Sequence, residues 1–95
     1  MFDNQFANIA FEKFNGKRVL WHGKNIFGEP RPDWNKYGVA KVFQRWQGPF
    51  GGMKYCILVN FDDSNVETGD INTYYHGVNT EEELSIVMSD IELVC

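Results

Sequence analysis

Ninety-five residues suffice for one domain with a modest core and are too few for two. At 43% apolar and 16% aromatic the chain is too hydrophobic for intrinsic disorder, and no run approaches the roughly 20 apolar residues that span a bilayer. The formal net charge of −4 argues against general nucleic-acid binding, which calls for basic surfaces.

Residues 2–14 carry two patterns. Phe2, Phe6, Ile9, Ala10 and Phe14 lie near one helical stripe with Asp3 placed as a cap, whereas Ala7, Ile9 and Phe11 alternate as a strand would. A short helix or turn packed across one end of the fold is expected over 1–15, ahead of a β-rich unit over 16–95, the two making a single domain. Asn15-Gly16 is a turn signal, after which Val19 and Trp21 alternate with Arg18, Leu20 and His22 as a first strand. Gly23 to Tyr37, with Gly28, Pro30 and Pro32, reads as a long connection without a regular element. A connection of this length in so small a domain is commonly functional, and this one displays Phe27, Trp34 and Tyr37.

Val39 to Trp46 is the expected second strand, with Ala40, Val42 and Trp46 on one face and Lys41, Phe43 and Arg45 on the other. Gln47-Gly48-Pro49-Phe50-Gly51-Gly52 is a hairpin tip presenting one phenylalanine, and Tyr55 to Phe61 is a nearly continuous apolar strand. Asp62 to Asp70 is turn-rich. Ile71 to His76 is expected as a fourth strand with Ile71, Thr73 and Tyr75 on one face. Thr80 with Glu83 matches a capping box, but only a turn of helix is expected before the β-branched pair Ile86-Val87. Ser89-Asp90 reads as a tight turn breaking that run, and Ile91, Leu93 and Val94 as the closing strand. The expected architecture is mainly β: a small, strongly bent, five-stranded antiparallel barrel with a short N-terminal helix or turn.

Two cysteines, Cys56 and Cys95, make no disulfide framework; Cys56 reads as a small core hydrophobe and Cys95 as a free terminal thiol. The start at Met1, without a basic-then-apolar leader, fits a complete short reading frame and a cytoplasmic location. Charge is unevenly spread. All nine Lys and Arg lie between Lys13 and Lys54 against four acids, a balance of +5, whereas Tyr55 to Cys95 holds nine acids and no Lys or Arg, a balance of −9. Early and late strands of a barrel are neighbours, so internal charge pairing is expected ahead of the sharper alternative, one acidic face.

The order of elements resembles the Src-homology-3-like small barrels, the Tudor branch in particular. The resemblance rests on Gly16-Lys17-Arg18-Val19, Gly38-Val39-Ala40-Lys41-Val42, Val59-Asn60-Phe61-Asp62-Asp63 and Ser89-Asp90-Ile91-Glu92-Leu93-Val94. It implies binding of peptides, often with methylated lysine or arginine, in a cage of aromatic side chains. The cage positions it implies are Trp21, Tyr37 and Phe61, with Asp63 or Asn65 as the polar contact; Ser64 departs from the pattern where many cages place another aromatic.

No catalytic, cofactor or metal site is expected. His22 and His76 lack a second ligand at zinc spacing, Asp62 to Asp70 lacks the glycine and closing glutamate of a calcium loop, and Gly48 to Gly52 is not a phosphate loop. The expected function is a non-enzymatic module binding another protein through an aromatic loop surface: Phe27, Trp34, Tyr37, Trp46 and Phe50, with Asp62 and Asp63. The alternative is a small acidic, phage-type inhibitor or accessory factor of a host nucleic-acid-handling protein, with nucleic-acid mimicry as one form of it, using Asp62, Asp63, Glu67 and Asp70. A third reading, weak single-stranded nucleic-acid binding by aromatic stacking beside Lys41, Arg45 and Lys54, is disfavoured by the overall acidity.

Overall fold

Residues 2–64, 67–69 and 72–94 are described by a computed structural model. In chain order the elements are α1 (Gln5–Phe14), β1 (Arg18–Trp21), a 3-10 turn (Pro32–Trp34), β2 (Lys36–Trp46), β3 (Met53–Phe61), β4 (Thr73–Gly77), α2 (Glu81–Asp90) and β5 (Ile91–Leu93). The five strands form one antiparallel sheet in the order β4-β3-β2-β1-β5. Its longest ladder joins β2 to β3, from Gly38 opposite Phe61 to Trp46 opposite Met53. β4 and β5 are its edges, and no ladder among the described residues joins them, so the sheet is not closed.

Strand alternation gives the sheet two unlike faces. Val19, Ala40, Val42, Tyr55, Ile57, Val59 and Phe61 are buried on one face, in a core with Ala7, Ala10 and Phe14 of α1 and Leu84 and Val87 of α2. The other parity carries Tyr37, Val39, Lys41, Phe43 and Arg45 on β2, and Leu58 and Tyr75 across from them, with no helix laid over it. Gly38 lets β2 approach β3 closely, because a Cβ there would lie 2.5 Å from the Asn60 carbonyl oxygen.

α1 forms because its stripe Ala7, Ala10 and Phe14 is fully buried against the sheet. Its cap is Asn4, not Asp3: the Asn4 side-chain oxygen accepts from the amides of Phe6 and Ala7 at 2.9 and 3.1 Å. The chain leaves α1 through Gly16 (φ 74°), whose N–H donates to the Ala40 carbonyl at 2.8 Å.

The largest departure from expectation lies at the C-terminal end. Residues 86–90 are not a strand and turn but the last part of α2, which runs for ten residues, so Ser89 and Asp90 are helical. Thr80 accepts from the Glu83 amide, three glutamates complement the N-terminal helix dipole, and Leu84, Val87 and Ile91 at i, i+3 and i+7 are buried together. Burial of that stripe outweighs the few tenths of a kcal/mol by which each β-branched residue disfavours helix. β5 is correspondingly short.

Trp46 also departs from the core face expected for it. It is 61% exposed, because β1 pairs with β2 only as far as Val39 and the end of β2 runs on with β3 alone. Cys56 is buried as expected, though on the uncovered face, beneath Tyr75. Ile71 and Cys95 lie outside the described residues.

Where β3 leaves its ladder with β4, the side chain of Asn79 continues the pairing. Its Oδ1 accepts from the Tyr55 amide at 2.8 Å and its Nδ2 donates to the Tyr55 carbonyl at 3.1 Å. Asn79→Ala therefore leaves the Tyr55 N–H, of a buried residue, without its partner. The expected loss is about 1–3 kcal/mol, read as a fall in denaturant midpoint with unchanged m-value; an unchanged midpoint would refute the assignment.

Candidate functional site

At one end of the sheet four aromatic side chains, among them Phe61 of the core, wall a cavity of about 400 Å³. They are Trp21 of β1, Trp34 of the 3-10 turn, Phe61 of β3 and Tyr74 of β4. Trp21 stands between Phe61 and Tyr74, with ring centroids 5.5 and 6.3 Å apart. Its volume lies within the range of small-ligand pockets. Asp33 and Lys36 add opposite charges to the lining.

The connection before β2 is internally bonded and delivers Trp34. Asn25 folds its tip by accepting from the amides of Phe27 and Glu29 at 2.9 and 3.0 Å. Gly23 pins the base: its N–H donates to Asn35 Oδ1 at 2.8 Å and its carbonyl accepts from the Arg31 amide at 2.7 Å. A Cβ on Gly23 would collide with the Trp34 Cβ, so glycine is what allows the turn to seat against β1. Trp34 remains 43% exposed, with the Arg31 guanidinium 4.9 Å from its ring centroid.

The mouth of the cavity already holds a cation. The Lys36 ammonium lies 5.6 Å from the Phe61 ring centroid and donates to Asp63 Oδ2 at 3.0 Å. Asp63 is steadied in turn by the Asn72 side-chain amide, at 3.2 and 3.3 Å from its two oxygens. On the opposite wall the Tyr74 hydroxyl donates to Asp90 Oδ2 at 2.9 Å, while Lys24 reaches the other oxygen of Asp90 at 3.0 Å.

The structure distributes the residues singled out from sequence among several places. Trp34 lines the cavity and Asp63 meets it through Lys36. Asp62 pairs with Arg18. Tyr37 belongs to β2 rather than to the connection, and its outward ring lies under the Arg18 guanidinium at 5.5 Å, on the opposite face of the sheet from Trp21 and Phe61. Trp46 and Phe50 sit at the far end of the β2–β3 hairpin, about 30 Å from Lys36 along an extended strand. Phe27 is exposed at the loop tip. Of the cage positions implied by resemblance, Trp21 and Phe61 meet, Tyr37 does not join them, and Asn65 lies outside the described residues.

Tyr74, Asp33, Lys36 and Asp90 were missed. The Tyr74-Tyr75 doublet held the signal for one of them, since alternation turns one of two adjacent strand tyrosines inward. His22 lies 3.4 Å from Glu92, and His76 Nδ1 bonds the Gly77 carbonyl oxygen at 2.8 Å. Among the described residues no three His, Cys, Asp or Glu side chains are grouped to hold a metal ion, and no helix is long and apolar enough to cross a membrane. No protein-family model matches the chain, and no curated protein or solved structure matches it significantly.

Burial, and then the hydrogen bond to Asp90, push the Tyr74 hydroxyl well above the ordinary tyrosine pKa. The fold therefore holds the neutral phenol. Its contribution is complete below about pH 10 and declines as pH rises past that value, because the unfolded chain then releases a proton that the folded chain keeps. Tyr74→Phe should lower stability by about 1 kcal/mol at neutral pH and flatten the loss of thermal midpoint above pH 10. An alkaline decline identical to wild type would contradict this placement of the phenol.

Proposed function

We propose that this chain is a non-enzymatic protein-binding module, and that the aromatic cavity receives a cationic side chain of its partner. The observation that carries this reading is Lys36, whose ammonium rests over the Phe61 ring and on Asp63 at the cavity mouth. Aromatic faces beside a carboxylate favour a cation there by about 0.5–2 kcal/mol, more as water is excluded. Trp34 gives an incoming group a further ring, and Asp33 a carboxylate that it would share with Arg31, 3.7 Å away.

Further support comes from the strand order, in which a meander β1 to β4 is followed by β5 returning beside β1. That connectivity, with Gly38 at the tight approach of β2 to β3, favours the resemblance to Src-homology-3-like and Tudor-like barrels. The carried-over cage is altered accordingly: Trp34 and Tyr74 stand with Trp21 and Phe61, and Tyr37 drops out.

The ion pairs do not favour the acidic-inhibitor alternative. Asp62, Asp63 and Asp90 are taken up by Arg18, Lys36 and Lys24, in keeping with internal pairing of the basic first half with the acidic second half. Such pairs add little stability at exposed sites, but they engage Asp62 and Asp63, two of the four carboxylates that this alternative would use; Asp70 lies outside the described residues.

Trp34→Ala should leave the fold intact, with thermal midpoint nearly unchanged, and weaken partner binding by about 2 kcal/mol or more. The check is titration of peptides bearing lysine, arginine or their methylated forms, followed by tryptophan fluorescence; unfolding of the variant would make Trp34 a core residue and end the site assignment. Lys36→Met, which removes the resident cation and frees Asp63, should tighten binding of the same peptides severalfold. Weaker binding would show instead that Lys36 contacts the ligand directly.

A further inference from the structure

The uncovered face of the sheet carries a second surface, unrelated to the cavity. Along β2, Val39, Lys41, Phe43 and Arg45 point the same way, with successive same-face residues about 6.6 Å apart. Leu58 pairs with Lys41, Cys56 with Phe43 and Lys54 with Arg45 across the ladder, and Tyr75 follows Leu58 on β4. The side chains confirm this common face. The Tyr75 hydroxyl lies 2.9 Å from Cys56 Sγ and 3.4 Å from Arg45 Nη1, and its ring centroid is 6.3 Å from that of Phe43.

Three cations, Lys41, Arg45 and Lys54, thus surround two aromatic rings, of which Tyr75 is 44% exposed. Among the described strand residues and those next to them, the acids on this face are Asp62, already paired with Arg18, and Glu92, opposite Leu20, while Asp70 lies outside the described residues. Glu12, Glu81 and Glu82 belong to α1 and α2, which pack on the far side of the sheet. The net charge of −4 therefore hides a locally positive, ring-bearing strip, and screening over about 10 Å at ordinary ionic strength keeps distant acids from cancelling it.

We propose that this face docks single-stranded nucleic acid, with phosphates on Lys41, Arg45 and Lys54 and bases stacked on Tyr75 and the exposed part of Phe43. Charge complementarity selects a polyanion, and the flat rings between the cations select one that also carries unpaired bases. A duplex hides its bases from such a platform, and an acidic peptide offers it no flat π-face.

The test is fluorescence anisotropy on the whole protein with labelled 20-residue oligo-dT and oligo-U, a 20-base-pair duplex and a 20-residue polyglutamate. Saturable binding of at least one single strand is expected, tighter than duplex or polyglutamate. Three phosphate contacts predict a slope of log affinity against log salt of about −2. Lys41→Gln/Arg45→Gln/Lys54→Gln should abolish most of that slope. Tyr75→Ser should weaken binding about tenfold, in line with the loss of one stacked base. These positions are exposed, and an unchanged thermal midpoint is the control that both variants fold. Trp34→Ala, on the opposite face, should leave oligonucleotide affinity unchanged. The proposal is overturned by the lack of saturable binding at 50 mM salt, by equal affinity for the duplex, by polyglutamate binding as tightly, or by a triple variant that binds like wild type.

Discussion

Asn79 is the point at which the separate elements of this fold become one. Its side chain prolongs the edge of β3 through both backbone groups of Tyr55, its carbonyl accepts from the Asn4 side chain at 2.9 Å, and its amide donates to Glu83 Oε1 at 3.1 Å. Asn4 is the cap of α1, and Glu83 belongs to the first turn of α2. One residue thus fixes where both helices begin relative to the sheet. A short amide side chain can do this because it carries a donor and an acceptor in the same geometry as a peptide group. The device recurs: Asn15 accepts from the Val42 amide and Asn35 from the Gly23 amide, each beyond a place where regular pairing stops. Small sheets have many strand ends for their size, and each end leaves backbone groups that need partners.

With the helices fixed at that corner, the hydrophobic layer they cover is also fixed. α1 and α2 bury the middle of the sheet, from Val19 through Ala40 and Val42 to Ile57 and Val59, and they leave the cavity end to the aromatic residues alone. Four large rings there do not fill the space, and polar tethers hold its walls. Asp90, at the end of α2, takes the Tyr74 hydroxyl and Lys24 together, and its backbone carbonyl accepts from the His22 amide at 2.8 Å. The cavity is thus braced by α2, β4 and the chain just past β1, and its rings are held by packing rather than by filling the space.

How much of this was legible in the sequence depends on the kind of signal. Alternation made β1 and β2 readable and a nearly continuous apolar run made β3 so, with turn residues such as the Gly48–Gly52 tip between them. The extent of α2 was not readable from local preference. Ile86 and Val87 favour strand taken alone, and only the burial of Leu84, Val87 and Ile91 on one stripe, a tertiary fact, decides for helix. Of the site, Trp34 was legible as a large ring in a turn-rich segment. For Tyr74 the doublet with Tyr75 said that one ring turns inward but not which, since that follows from the register of β4 on β3, and Lys36 was not legible because β2 starts three residues earlier than Val39. Trp46 shows the opposite failure: its phase was read correctly, but phase does not say where a strand outruns its covering layer.

The same register explains how an acidic chain keeps a basic face. Among the described residues, cations of the first half pair with acids of the second half at the end of the sheet holding the β3–β4 turn and the start of β5: Arg18 with Asp62, Lys36 with Asp63, Lys24 with Asp90. β2 then runs away from that end beside β3, whose residues 53–58 contain no acid. Arg45 stands opposite Lys54 and reaches the Tyr75 hydroxyl, and Lys41 stands opposite Leu58 on the same face. Sequence halves of opposite charge are therefore not faces of opposite charge. Antiparallel pairing folds the boundary between them back on itself, bringing opposite charges together at one end of the sheet and setting Lys41, Arg45 and Lys54 apart from those pairs along β2 and β3.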